Sequence, residues 1–139
     1  MKLDASIGFL LNKAAGEMKY ALENLLRPYN LTPAQWSVLA RLTEQDGQVI
    51  SDIGKSLFFD KPTMSGVIKR LHDKGLITKE RDAADQRMIK IYLTDSARAL
   101  MLELPDLAIS VNQKALKGFE SEEAELLKVF LKRILMNMR

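Results

Sequence analysis

Asp60–Gly75, DKPTMSGVIKRLHDKG, and the segment after it, Leu76–Thr94, LITKERDAADQRMIKIYLT, decide the fold. Pro62 sits in the opening turn of the first segment, where its missing amide hydrogen has no intrahelical partner to lose. Met64, Val67, Ile68 and Leu71 recur at i, i+3, i+4 and i+7, so they form one apolar helix face and belong to the core. Gly75 closes that helix, because a left-handed residue just past the last turn is best tolerated without a β-carbon. In the second segment, Leu76–Arg81 and Met88–Leu93 read as strands on either side of DAADQ, a polar turn. The expected unit is a Pro-started, Gly-ended helix feeding a hairpin with Arg87 at its tip.

Upstream, SDIGKSLF (51–58) reads as a short helix capped by Ser51 or Asp52, with Ile53, Leu57 and Phe58 pointing inward. Two short helices with a tight connection, the second followed by a hairpin, make a helix-turn-helix pattern. LTPAQWSVLARL (31–42) starts another helix, with Thr32 as N-cap and Pro33 first, and buries Trp36, Val38, Leu39 and Leu42 before the Asp46-Gly47 turn. From Asp4 to about Arg27, Ile7, Leu10, Leu11, Ala14, Met18, Ala21, Leu22 and Leu25 mark an amphipathic helix. It stops at Pro28, since the residue before a proline is pushed out of the helical region. Downstream, Thr94-Asp95 opens a long helix that Pro105 is expected to kink or split. Gly118 ends it, and FESEEAELLKVFLKRILMNM (119–138) forms the last helix, capped by Ser121.

The outer helices carry more apolar residues than one small lobe uses. Leu100, Met101, Leu104, Leu107, Val111 and Leu116 lie on one, and Leu126, Leu127, Phe130, Leu131, Ile134 and Leu135 on the other. The expected architecture is mostly α with a small β-hairpin: a single 1–139 domain with a lobe at 30–95 and flanking helices at 1–29 and 96–139. Those flanking helices are expected to pair two copies into a homodimer.

Charge sharpens the reading of the lobe. Residues 51–90 hold nine basic side chains against six acidic ones, which is the whole surplus of +3 in the chain. Such a bias suits contact with phosphate. With zero cysteines, disulfides, thiolate metal sites and a thiol switch are excluded. The start, MKLDASIGFLLNKAAGEMKY, lacks the basic region, continuous apolar stretch and cleavage site of a signal peptide, and no apolar run reaches membrane-spanning length. A cytoplasmic protein without a membrane partner is expected. Enzymatic activity is not: there is one histidine, His72, read as a surface helix residue, and no Gly-rich phosphate loop. The Glu122/Glu123 pair reads as favourable charge at a helix N-terminus rather than as catalytic carboxylates. No cofactor or metal is expected.

Opposite its core face, the 61–74 helix presents Pro62, Gly66 and Lys69, flanked by Thr63, Ser65 and Arg70. Small groups let a helix sit deep in a major groove, hydroxyls bond base edges or phosphates, and cations serve guanine edges or phosphates. At the hairpin tip Asp85 and Arg87 are two apart, so a carboxylate can hold the guanidinium extended for a narrow minor groove. Arg81 lies across the hairpin, within reach of a phosphate. Double-stranded DNA is the partner this surface fits.

These residues resemble the MarR family of transcriptional regulators over essentially the whole chain. LTPAQWSVLARL is similar to that family's second-helix signature. DKPTMSGVIKRLHDKGLITKERDAADQRMIKIYLT is similar to its recognition helix and wing, including Asp-x-Arg and, after five intervening residues, Leu-Thr: here Asp85, Arg87, Leu93 and Thr94. The resemblance implies a homodimer of winged helix-turn-helix lobes joined by N- and C-terminal helices. It implies binding to pseudo-palindromic DNA, usually as a repressor, and often release by a small aromatic or phenolic anion between the lobes. It implies that Arg87 is the minor-groove arginine and Asp85 its orienting partner. Gln86 stands where many members have a second basic residue, so an extra phosphate contact is not expected there. A peroxide-sensing thiol and a multi-histidine zinc site do not fit this chain. An effector pocket would draw on the first helix, the Trp36 helix and the helix near Pro105, with Trp36 a candidate wall. A winged-helix protein-interaction module without specific DNA binding is the competing reading.

Overall fold

The computed structural model describes residues 1–139, the side chain of Pro105 apart. Helix α1 spans Ile7–Leu26 after a short 3-10 turn, and a second 3-10 turn at Arg27–Tyr29 carries Pro28. Asn30 follows with φ 56°, a left-handed residue that redirects the chain into α2, Pro33–Glu44. Thr32 begins α2 with a capping box: its side chain accepts from the Gln35 amide while Gln35 accepts from the Thr32 amide. The helix-turn-helix pair is α3, Ile50–Ser56, and α4, Lys61–Asp73. Strands β2, Ile77–Arg81, and β3, Ile89–Leu93, form the hairpin. Helices α5, Asp95–Met101, α6, Leu104–Ala115, and α7, Ser121–Asn137, complete the chain. The expected split near Pro105 is therefore present, with the proline in the first turn of α6.

Sequence periodicity located α4 and its frame. Met64, Val67, Ile68 and Leu71 are all buried, Asp60 caps the helix, and Gly75 has φ 72°. The core joins these to Val38, Leu39 and Leu42 of α2, Ile53 of α3, and Ile77, Ile91 and Leu93 of the sheet. Each fully buried aliphatic side chain contributes about 1.5–3 kcal/mol of transfer free energy.

Four local expectations need correction. A two-residue strand, β1, Gln48–Val49, precedes α3 and pairs antiparallel with β3, so the sheet runs β1-β3-β2. Val49 rather than Ser51 or Asp52 is the N-cap of α3, with no side-chain cap bond, because β1 delivers the chain in extended conformation. Phe58 does not point inward: it has φ 60° and is 59% exposed, and Phe59 packs on the core in its place. Glu120, not Ser121, caps α7, through a reciprocal bond pattern with Glu123.

The sheet is fastened at its base. The Gly47 amide donates to the Ile91 carbonyl at 3.0 Å, and the Leu93 amide donates to Asp46 Oδ1 at 2.9 Å. The other oxygen of Asp46 pairs with Arg98 of α5 at 3.0 Å. Gly47 has φ 73° and a β-carbon there would lie 2.8 Å from the Tyr92 ring, so a side chain at this corner is excluded twice over.

Half of the α1 apolar stripe, Ile7, Leu10, Ala14 and Leu25, stays exposed in the single chain, and the other half is partly buried. Ile7 and Leu10 are 65% and 47% exposed, whereas Leu26 is fully buried. Helix α7 contributes no buried residue at all, although Leu126, Val129, Phe130, Leu135 and Met136 lie along it as exposed apolar side chains.

Candidate nucleic-acid interface

Helix α4 divides cleanly into two sides. Its apolar side is sealed in the core, and Pro62, Thr63, Ser65, Lys69 and Arg70 are exposed, with Gly66 half-buried between them. Asp60 accepts from the Thr63 amide at 2.8 Å, and hydrogen bonding to Thr63 holds its carboxyl below the ordinary range. The anionic cap therefore stays charged and fixes the first turn. Lys69 is not idle: its ammonium pairs with Asp73 at 2.9 Å on the exposed helix surface. That hydrogen bond and charge lower the Asp73 pKa. An exposed i, i+4 pair is worth little in water, so phosphate can recruit this lysine at small cost. A β-carbon on Gly66 would approach the terminal nitrogen of Arg70 to 3.0 Å, the far end of a flexible side chain.

The other end of α4 is anchored to the entrance of α2. Lys74 donates to the Asn30 carbonyl and, at 2.9 Å, to Gln35 Oε1. Gln35 is 3% exposed, and its oxygen also receives the Thr32 amide at 3.3 Å. Burial and, after it, the neighbouring Arg70 charge push the Lys74 pKa down. The sequence reading passed over Lys74 and Gln35, because neither residue type signals a long-range contact by itself.

At the wing tip Arg87 pairs with Asp85. Its backbone amide and its Nε both donate to Asp85 Oδ1, at 3.0 and 3.3 Å, and its side chain is 93% exposed. Arg81 instead donates to the Gln86 carbonyl at 2.8 Å, which braces the turn from the inside. The residue that organises the tip is Asp82, which was not singled out. One oxygen accepts the Ala84 and Asp85 amides at 2.8 and 3.1 Å, and the other faces Lys90 at 3.5 Å. Asp followed by two small residues at a turn start is a readable signal for such side-chain-to-backbone bonding.

Those two amide bonds, and then Lys90, hold the Asp82 pKa below its ordinary value. A depressed carboxyl pKa means the charged form is favoured in the ordered wing. Its ordering contribution is complete above the unfolded value, about 3.9, and is lost as pH falls through the lower folded value. Amide exchange at Ala84 and Asp85, corrected for intrinsic rates, is thus expected to accelerate as pH is lowered through the acid range. Asp82→Asn should show that faster exchange already at neutral pH. Unchanged protection in the variant would remove Asp82 from this role.

The helix and the wing are neighbours. Ser65 of α4 and Arg87 of the wing line one cavity of about 340 Å³, together with residues of α3 and β3. A groove-sized helix face with small and hydroxyl side chains, cations beyond it, and an extended arginine alongside is a surface for a regular polyanion. Trp36 is partly buried against the core, and its indole N–H is buried without an acceptor among the described residues. It does not line the cleft of about 490 Å³ between α1 and α6, whose walls include Tyr20, Asn24, Ser110 and Lys114.

Residues 31–89 match the model of the MarR family. Over 107 residues the chain is 32% identical to the organic hydroperoxide resistance transcriptional regulator of Bacillus subtilis strain 168, covering 77% of this chain and 73% of that protein. The chain belongs to the MarR family. It is therefore a member of a family of transcriptional regulators, with a winged-helix fold. The HTH-type transcriptional regulator TtmR of Methylorubrum extorquens strain PA1 is 37% identical over 98 residues, 70% of this chain but only half the length of that relative. Among solved structures, the MepR–DNA complex from S. aureus superposes with TM-score 0.88 at 29% identity, covering 95% of this chain and 98% of MepR. BpsR of Bordetella bronchiseptica, whose structure concerns regulation of DNA binding by 6-hydroxynicotinic acid, gives TM-score 0.89 at 28% identity, with 96% of each chain covered. Whatever chemistry serves the hydroperoxide regulator, a thiol cannot serve this MarR chain, which has no cysteine.

Proposed function

We propose that the protein is a sequence-specific regulator of transcription, acting as a repressor and a homodimer on pseudo-palindromic duplex DNA. In this reading residues 30–95 are the DNA-reading lobe, and residues 1–29 and 96–139 supply the dimer arms. Helix α4 enters the major groove with Pro62, Thr63, Ser65, Gly66, Lys69 and Arg70, and the wing places Arg87, oriented by Asp85, in the adjacent minor groove. Arg81 holds the wing turn and lies within reach of the backbone. The observation that carries the proposal is the pairing of an uncovered, small-residue α4 face with an almost fully exposed, carboxylate-oriented arginine beside it. The DNA-bound relative supports it. The partner for the arms is a second copy, supported by the exposed apolar length of α7 and the exposed half of the α1 stripe. No described helix is long and apolar enough to cross a membrane, so that apolar length is not a spanning segment.

A small effector, such as an aromatic anion, is part of the same proposal, supported by the ligand-regulated relative BpsR. The unsatisfied indole N–H makes Trp36 a candidate wall, since a ligand oxygen there would supply the missing acceptor.

Fluorescence anisotropy against the DNA upstream of its own gene, with a scrambled duplex as control, tests the reading. Two recognition helices in successive major grooves, about 34 Å apart, predict at least about hundredfold preference for the true site. Log affinity is expected to fall with log salt at a slope of about −4 or steeper, because each neutralised phosphate contributes about −0.9. Equal affinity for both duplexes, or a flat salt plot, would favour the protein-interaction reading instead.

A further inference from the structure

Apolar packing holds α4 in the lobe, and hydrogen bonds fix where its far end points. The helix packs on α2, α3 and β2 through Met64, Val67, Ile68 and Leu71. Such contacts are non-directional, so alone they leave a short helix free to slide or tilt by small amounts. Among the described residues, the other side-chain hydrogen bonds of α4 stay within the helix and its cap: Asp60 accepts from the Thr63 amide, and Lys69 pairs with Asp73. Only Lys74, the C-cap residue, reaches across the fold, to the Asn30 carbonyl and, at 2.9 Å, to Gln35 Oε1. Asn30 lies 44 residues away in sequence and forms the left-handed corner, φ 56°, between α1 and α2. Gln35, 3% exposed, belongs to the capping box that starts α2. The same corner is tied to the C-terminal arm, because Tyr29 Oη donates to Glu103 Oε2 at 3.4 Å, where α5 gives way to α6. Lys74 thus ends on the point where both proposed dimer arms leave the lobe. Bonds donated by an ammonium are charge-assisted, stronger than neutral hydrogen bonds and directional where packing is not.

We propose that Lys74 is a positioning residue for DNA recognition: it clamps the C-terminal end of α4 to the Asn30 corner, and so sets the angle between recognition helix and arms and the spacing of the two α4 helices in a dimer. Its role in recognition rests on the DNA-binding reading above. Lys74 stands at the end of α4 remote from Pro62, Thr63 and Ser65, and its ammonium is turned to the protein's own carbonyl and amide oxygens. A helix of 13 residues is about 20 Å long. A tilt of about 6° released at Lys74 therefore moves the groove-reading end by about 2 Å, more than half the rise of about 3.4 Å per base pair. A two-fold site read in successive major grooves punishes such drift, because the errors of both copies add.

Because the chain has no cysteine, Lys13→Cys on α1 and His72→Cys on α4, both exposed positions, accept spin labels at two defined points of the full-length protein. Diluted into an excess of unlabelled protein, the labelled chain reports the α1–α4 distance by pulsed electron resonance without DNA. Lys74→Met keeps the stem and removes the ammonium. It is expected to broaden that distance distribution at least about twofold, with helical circular dichroism unchanged. Lys74→Gln, a polar replacement at the same exposed position, serves should the methionine variant fail to fold. An unchanged width in the folded variant overturns the clamp. On DNA, the upstream duplex is compared with versions carrying one or two base pairs inserted at its centre. The parent is expected to lose at least about tenfold in affinity on insertion, and the Lys74→Met protein less than about threefold, from a weaker start. The salt slope of the variant should equal that of the parent. A slope shallower by about 1.8, from two lost phosphate contacts at about 0.9 each, would make Lys74 a DNA contact and overturn the proposal. Broadening in a protein that ignores DNA would uphold the clamp and refute the DNA-binding reading on which its role rests.

Discussion

Arg87→Ala is expected to weaken operator binding at least about tenfold, or about 1.4 kcal/mol, with no loss of folded protein. The side chain is 93% exposed and its only hydrogen-bond and ion-pair partner is Asp85, so nothing in the core depends on it. A surface substitution of this kind shifts the melting temperature by no more than about 3 °C. Its effect on binding is larger, because an arginine inserted in a narrow minor groove meets concentrated negative potential, and a two-fold complex loses two such contacts at once. Arg87→Lys is expected to recover only part of the affinity, since an ammonium lacks the planar fork that Asp85 orients. Anisotropy at fixed salt, paired with a thermal melt, decides it. A folded alanine variant with full affinity would remove the wing from the interface.

Leu126→Asp combined with Phe130→Asp is expected to have the largest effect, turning the protein into a monomer and costing at least about hundredfold in operator affinity. Both residues are about half exposed in the single chain, at 51% and 49%, on a helix that buries nothing of its own. In a two-fold pair the substitutions remove four apolar side chains and add four charges. Burying the exposed half of four such side chains is worth roughly 3–6 kcal/mol, a large share of the free energy of a micromolar complex, about 8 kcal/mol. Sedimentation velocity at micromolar concentration reads the assembly state, and circular dichroism reports whether α2–α5 remain folded. A double variant that still sediments as a dimer would place the partner surface elsewhere.

The parts of the fold that were legible are those whose signals are local. Pro62, the Met64–Leu71 spacing and Gly75 bracket α4 without reference to anything distant, and Thr32-Pro33 does the same for α2. Asp85 and Arg87 were legible as a pair from their spacing, although a turn, closed by the Met88 amide on the Asp85 carbonyl, and not extended chain brings them together. Strand β1 was not, since two residues carry no period and its partner β3 lies far along the chain. Phe58 and Phe59 are identical in type, and only a left-handed backbone at Phe58 decides which enters the core. Gln35 was hidden for the opposite reason: a polar side chain enters the interior because Lys74 and the Thr32 amide satisfy it. The stripe on α1 was read correctly as apolar, but periodicity says nothing about which copy of the chain covers it.

The fastening at Asp46 also sets an order of assembly. Asp46 and Leu93 stand 47 residues apart, and every residue of the proposed DNA surface lies between them. Closing a loop of that length costs about 3 kcal/mol of chain entropy beyond a constant, and nothing returns that cost until both ends are shaped. Strand β1 pairs with β3, whose other edge is held by β2, its neighbour in sequence. The hairpin, whose strands are neighbours in sequence, is therefore expected to form before the Asp46 and Gly47 neck closes.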